Sequence, residues 1–197
     1  RSPSRGLGDV YKRQTKYRVV VSSGACTGSN SNEITITVDP ATVGGTLSSN
    51  ATVCATSNSG TLNLAGNVGS VSRWESSTDN WTTTTNISNT STSQVYSNLS
   101  TTTKYRVVVV SGVCSSTTSN EITITVDPAS DGGTLSSNAT VCASANSGTL
   151  NLAGNVGSIT RWESSDDNWS TTNSIANTTT SLTYTNLSTT TKYRAVV

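Results

Sequence analysis

Asn120-Glu121-Ile122-Thr123-Ile124-Thr125-Val126-Asp127-Pro128 decides the fold, because the same nine residues already stand at Asn32 through Pro40. Within the stretch, Ile122, Ile124 and Val126 alternate with threonines, the period of a half-buried β-strand. The interval between the two copies is 88 residues, and it governs most of the chain. Thr-Lys-Tyr-Arg begins at Thr15, Thr103 and Thr191, Gly44-Gly45-Thr46-Leu47 returns at Gly132 through Leu135, and Arg73-Trp74-Glu75-Ser76-Ser77 returns at Arg161 through Ser165. A period of 88 residues exceeds the 20 to 50 of solenoid units and approaches the size of a whole immunoglobulin-type sandwich. The expected architecture is therefore all-β: tandem immunoglobulin-like antiparallel β-sandwich domains.

Asp127-Pro128 marks a domain boundary, since proline cannot continue a central strand, and Asp39-Pro40 is its equivalent. The expected organisation is the C-terminal part of one repeat at 15–40, a complete repeat at 41–128, and a repeat at 129–197 without its last strand. Residues 1–14 share nothing with 89–102, and the repeat begins abruptly at Thr15. They read as a non-native leader similar to a translated sequencing adapter. Because residues 31–38 duplicate the strand that 129–197 lacks, an arrangement in which the N-terminal piece completes that repeat is a further expectation.

Serine, threonine, asparagine, glycine and valine dominate, with 12% charged residues, 5% aromatic, and no His, Phe or Met. The formal net charge of +1 includes a local +3 in residues 1–14, which leaves −2 for the rest, so no basic surface for nucleic acid is implied. No apolar run is long enough to insert into a membrane. Thr61 through Ala65, Lys104 through Val110 and Glu121 through Val126 read as strands. Trp74 is expected at the centre of the core, with Leu99 and Tyr105 in a spacing similar to the tyrosine corner of sandwich domains. Arg106 is expected to face solvent.

The four cysteines, at 26, 54, 114 and 142, fall two to a repeat. A Cys54–Cys114 disulfide is expected from their placement toward one end of the same sandwich, leaving Cys26 and Cys142 free in this chain. The alternative pairs Cys26 with Cys54 and Cys114 with Cys142. Zinc binding is disfavoured by the absence of His and of Cys-x-x-Cys pairs, and paired thiols imply an oxidising, extracellular location.

The run Trp74-Glu75-Ser76-Ser77-Thr78-Asp79-Asn80-Trp81, followed by Tyr96, Leu99 through Val109, Gly112-Val113-Cys114 and Ser119 through Val126, resembles the immunoglobulin-like (fibronectin III-like) repeats of large surface and secreted adhesin-type proteins of Bacteroidetes. The resemblance implies export by the type IX system and a place on the cell surface.

Nothing in the sequence supports catalysis by a nucleophilic triad: there is no His, no Gly-x-Ser-x-Gly elbow and no phosphate loop. Glu75 with Asp79, repeated as Glu163 with Asp166 and Asp167, is the only local carboxylate grouping and suggests glycosidase acid/base work or a Ca²⁺ site, Glu75, Asp79 and Trp81 together being a candidate binding face; a solvated strand end or turn explains them as well. Positions 41–109 and 129–197 agree at 53 of 69 residues, and the differences gather between 78 and 97. That stretch is either a diversified binding face or an unconstrained solvent face. The expected function is a non-catalytic extracellular module, semi-rigid stalk or adhesive surface, without cofactor or metal. Its expected partners are neighbouring repeats and surface glycans or other cells. The alternative is a carbohydrate-binding or spacer module of a secreted polysaccharide-degrading enzyme.

Overall fold

The computed structural model describes residues 13–48, 50–136 and 138–197. The leader expected at 1–14 lies outside the described residues except for Arg13 and Gln14, which belong to a strand. Among the described residues all regular structure is β, and the chain divides into two compact units, Arg1–Asp127 and Pro128–Val197.

The first unit opens with β1 (Arg13–Tyr17), β2 (Val20–Val21), β3 (Ser29–Asn30) and β4 (Ile34–Val38), in which β1 pairs antiparallel with β4 and β2 with β3. All four are exposed along their length. A two-layer sandwich follows. One layer has the order β10 (Ser93–Ser97), β7 (Ser59–Ala65), β5 (Thr46–Ser48). The other runs β9 (Thr85–Ile87), β8 (Ser70–Ser77), β11 (Thr103–Val110), β13 (Ile122–Asp127), β6 (Ala51–Cys54), with β12 (Thr117–Thr118) also on β11.

Alternation explains the core. Leu62 and Leu64 from β7, Trp74 from β8, Tyr105, Val107 and Val109 from β11, and Ile122 and Ile124 from β13 meet between the layers. Trp74, Val107, Val109 and Ile124 are completely buried, Tyr105 is 5% exposed, and Leu99 packs against the cluster from its edge. A bulge between Val108 and Val109 shifts the register of β11 against β8.

One pairing departs from the antiparallel expectation: β6 runs parallel to β13, Ile124 opposite Ala51 and Asp127 opposite Cys54. After β5 the chain leaves the first layer and crosses to the second, so its continuation meets β13 in the same direction. Asn50 fastens the crossing, its Oδ1 accepting from the Thr123 amide at 2.8 Å.

This crossing corrects the expected Cys54–Cys114 disulfide. Cys54 stands opposite Asp127, at the end of the sheet where β11 begins. Cys114 follows the other end of β11, its Sγ 3.4 Å from the Pro40 carbonyl oxygen. Eight residues of β11 separate those ends by about 25 Å, against the 7 Å Cα separation that a disulfide tolerates. All four cysteines are free thiols. A thiol titration of the native protein should find Cys26, Cys54 and Cys142 reacting promptly and Cys114, which is half-buried, lagging behind. A native count below three would contradict this placement.

The second unit repeats the design with β14 (Thr134–Ser136), β15 (Ser147–Ala153) and β18 (Ser181–Thr185) in one layer, and β17 (Asn173–Ile175), β16 (Arg161–Ser165) and β19 (Lys192–Val196) in the other. Trp162, Leu152, Ile159 and Leu182 form its core. Ala139 through Cys142, identical in sequence to β6, are not in a strand here.

Candidate functional site

The residues singled out from the sequence, Glu75, Asp79 and Trp81, come together on the outer face of the second layer. Trp74 points into the core, so its neighbour Glu75 must point outward. Yet Glu75 is only 3% exposed. The Nε–H groups of Arg73 and Arg106 donate to its two carboxylate oxygens at 2.8 and 2.7 Å. Burial pushes the Glu75 carboxyl up, but the hydrogen bonds and charges of Arg106 and Arg73 outweigh it and hold the pKa below its ordinary value. Glu75 is therefore not the solvated residue of a strand end, and Arg106 is not a free surface cation.

Trp81 covers the pair. The Arg106 guanidinium lies 4.1 Å from the centre of the indole, a cation–π contact that Arg favours through its planar, weakly hydrated group. The indole Nε1–H donates to Glu121, which also accepts from Lys104 Nζ at 2.8 Å. Lys104 in turn reaches Asn80 Oδ1 at 2.7 Å. The result is a layered stack of three cations, two carboxylates and an indole, whose members bond mainly to one another.

A strained turn puts the indole there. Asn80 and Trp81 adopt φ of 56° and 67°, the left-handed region that bulky side chains avoid. Such strain persists where surrounding bonds over-determine it, and here they do. Ser77 Oγ accepts from the Trp81 amide at 2.9 Å and donates to Asp79 Oδ1 at 2.8 Å, while Asp79 accepts from the Thr83 amide and hydroxyl. The Thr83 side-chain and backbone bonds, with that from Ser77, pull the Asp79 pKa down to about 2.

Since the unfolded carboxyl titrates near 3.8, Asp79 supports the fold fully above that value and loses its contribution as pH falls toward 2. Asp79→Asn should therefore flatten the acid side of the stability profile between those limits, followed as melting temperature against pH. An unchanged acid limb would contradict the assignment.

The second unit builds the same site. Arg161 and Arg194 flank Glu163, Arg194 lies 4.2 Å over the Trp169 ring, and Ser165, Asp167 and Thr171 hold a turn in which Asn168 and Trp169 again have positive φ. The Arg194 and Arg161 bonds lower the Glu163 pKa.

Other side chains were not signalled by the sequence. Asn58 Oδ1 accepts from the Leu99 amide at 2.9 Å, and its Nδ2 donates to the carbonyls of Leu99 and Cys54 at 2.8 and 2.7 Å, binding the approach to β11 to the other layer. One Asn among many carries no motif; only its recurrence as Asn146, with the same bonds to Leu187 and Cys142, marks it. Among the described residues no group of three His, Cys, Asp or Glu could hold a metal ion, and no helix is long and apolar enough to cross a membrane.

Two units that build the same arginine–tryptophan stack on the same strands define an all-β sandwich protein of immunoglobulin-like architecture. The chain belongs to the family described as a domain of unknown function (DUF8696), whose model matches residues 43–128 and again 131–197. No curated protein matches it. Among solved structures, the chain is similar to the FN1–FN3 domains of chicken CNTN1, at 12% identity and a TM-score of 0.31, with 91% of this chain and 68% of that one covered.

Proposed function

We propose that this chain is a non-catalytic repeat module of an extracellular, cell-surface protein of adhesin type, serving as a stalk and as an adhesive surface. The observation that carries the reading is the duplicated stack. In both units the carboxylates and cations that might have done chemistry are engaged with one another, in a form suited to stiffening a sheet. Glu75 has both oxygens occupied by arginines, so it offers neither a free base nor a proton at neutral pH. Repetition of a whole domain every 88 residues serves length and avidity more readily than one active site. Resemblance to the surface repeats of Bacteroidetes supports export by the type IX route.

The test is antibody labelling of intact, unpermeabilised cells of the source organism, paired with attachment in the presence of the soluble chain. Surface labelling and reduced attachment are expected. Labelling that appears only after permeabilisation would overturn the surface assignment, and unaltered attachment would overturn the adhesive role.

A further inference from the structure

Three members of the outer-face stack bring reactive groups together. Lys104 Nζ donates to Asn80 Oδ1 at 2.7 Å and to Glu121 Oε1 at 2.8 Å. An amine, a primary carboxamide and a carboxylate in mutual contact are the parts of an amide exchange: a nucleophile, an acyl group and a carrier for the proton.

Each part is fixed by bonds of its own. Asn80 has φ of 56° in the turn that Ser77, Asp79 and Thr83 fasten. Glu121 accepts from the Trp81 indole as well as from Lys104. Lys104 stands in a central strand, opposite Ser77 on one side and Thr123 on the other, so its backbone cannot withdraw. A carbonyl oxygen 2.7 Å from the amine leaves the carbonyl carbon about 3.5 Å away, at the edge of the roughly 3–3.5 Å of a near-attack geometry.

The pair recurs. Lys192 Nζ donates to Asn168 Oδ1 at 2.5 Å, and Asn168 again has positive φ. Asn80 lies within the stretch where the two units differ most in sequence, yet Asn stands at this position in both.

We propose that Lys104 and Asn80 join in an intramolecular isopeptide bond, with Glu121 carrying the proton. The Lys104 ammonium passes a proton to Glu121, and the neutral Nζ attacks Asn80 Cγ, forming the new N–C bond and a tetrahedral intermediate. Glu121 hands its proton to Nδ2, the Cγ–Nδ2 bond breaks with its electron pair staying on nitrogen, and ammonia leaves. The surplus proton on Nζ follows through Glu121 to the ammonia. One ammonium side chain and one carboxamide thus give one secondary amide and one ammonium ion, with Glu121 unchanged and no other reactant consumed. Asn80 is exposed, so the ammonium escapes to solvent and draws the exchange forward. Lys104 and Glu121 keep 26% and 47% of their side chains exposed. The ion pair is therefore the resting state and the bond forms slowly.

The bond closes a ring over residues 80–104, which carry β9 from one layer and β10 from the other. It restricts the unfolded chain as a disulfide does, a role that the free cysteines do not fill. The inference goes beyond the adhesive reading and stands on the geometry of this site alone.

The experiment is mass spectrometry on the folded 197-residue protein, freshly purified and after prolonged incubation at neutral pH. Wild type is expected to become lighter by one ammonia for each bond formed. Trypsin, which cuts after a free lysine, should then leave residues 74–106 as one peptide lacking that ammonia. The same protein held in urea, where the three groups separate, should keep its full mass. Glu121→Gln preserves an acceptor for the Trp81 indole but cannot carry the proton, and is expected to form the bond roughly a hundredfold more slowly. Folded wild type that keeps its full mass throughout, with Lys104 cut by trypsin, overturns the proposal. An ammonia lost while Lys104 is still cut belongs to a cyclic imide at Asn80 and overturns it too. Bond formation as fast in Glu121→Gln as in wild type overturns the part given to Glu121.

Discussion

Trp74→Ala is expected to remove most of the stability of the 41–128 sandwich. The indole is completely buried among residues of both layers, and its Nε1–H donates to the Ser91 carbonyl at 2.9 Å. Truncating a fully buried Trp costs about 3–5 kcal/mol, the sum of lost apolar transfer and an unfilled cavity. Whole domains are stable by roughly 5–15 kcal/mol, and one this small sits toward the lower end. With Cys54 and Cys114 unbridged, no disulfide raises that figure by restricting the unfolded chain. The urea midpoint of the first unit should fall by roughly 2 M or more, given a slope near 1–2 kcal/mol per M for so small a domain. Trp74→Phe, which refills part of the space, should lie between. A loss under about 1 kcal/mol would mean that the indole is not the centre of the core.

The fold was legible in the sequence where period and repetition agree. The alternation at Ile122, Ile124 and Val126 describes β13, and the runs at 61–65 and 104–110 fall on β7 and β11. What escaped has two physical causes. Spacing along the chain does not say at which end of a sheet a residue emerges, and the crossing at Asn50 sends Cys54 to the end opposite Cys114. Alternation assigns a face but not what covers it. Glu75 does face outward, yet two arginines and an indole held by a left-handed turn close over it. That turn is visible only as Asn80-Trp81, with no glycine to announce positive φ. The strand β6 was missed because Ala51-Thr52-Val53-Cys54 shows its partner, β13, only in three dimensions.

Glu75→Ala is the second large effect, expected at about 2 kcal/mol. Two charge-assisted hydrogen bonds, each ordinarily worth about 1.5–3 kcal/mol, are lost. Removing one member of a fully buried ion pair costs about 3–5 kcal/mol because the other charge is stranded. Here Arg106 and Arg73 keep 31% and 41% of their side chains exposed and can turn to water, so the penalty lies below that range. Replacement by an apolar residue of similar volume, Glu75→Leu, should cost less than Glu75→Ala if the site is structural, since it refills the space under Trp81 without a charge to desolvate. The pH dependence separates the charge from the volume. The folded carboxyl titrates below its ordinary 4.5, so as pH falls past that value the unfolded chain takes up a proton before the folded one does. Glu75 therefore stabilises fully above about pH 4.5, and its contribution disappears as pH drops through the folded pKa. Both substitutions should narrow the stability gap to wild type as the solution is acidified, measured by urea unfolding at successive pH values. A gap that stays constant from neutral pH to well below 4 would show that the arginines hold the side chain for its shape and not for its charge.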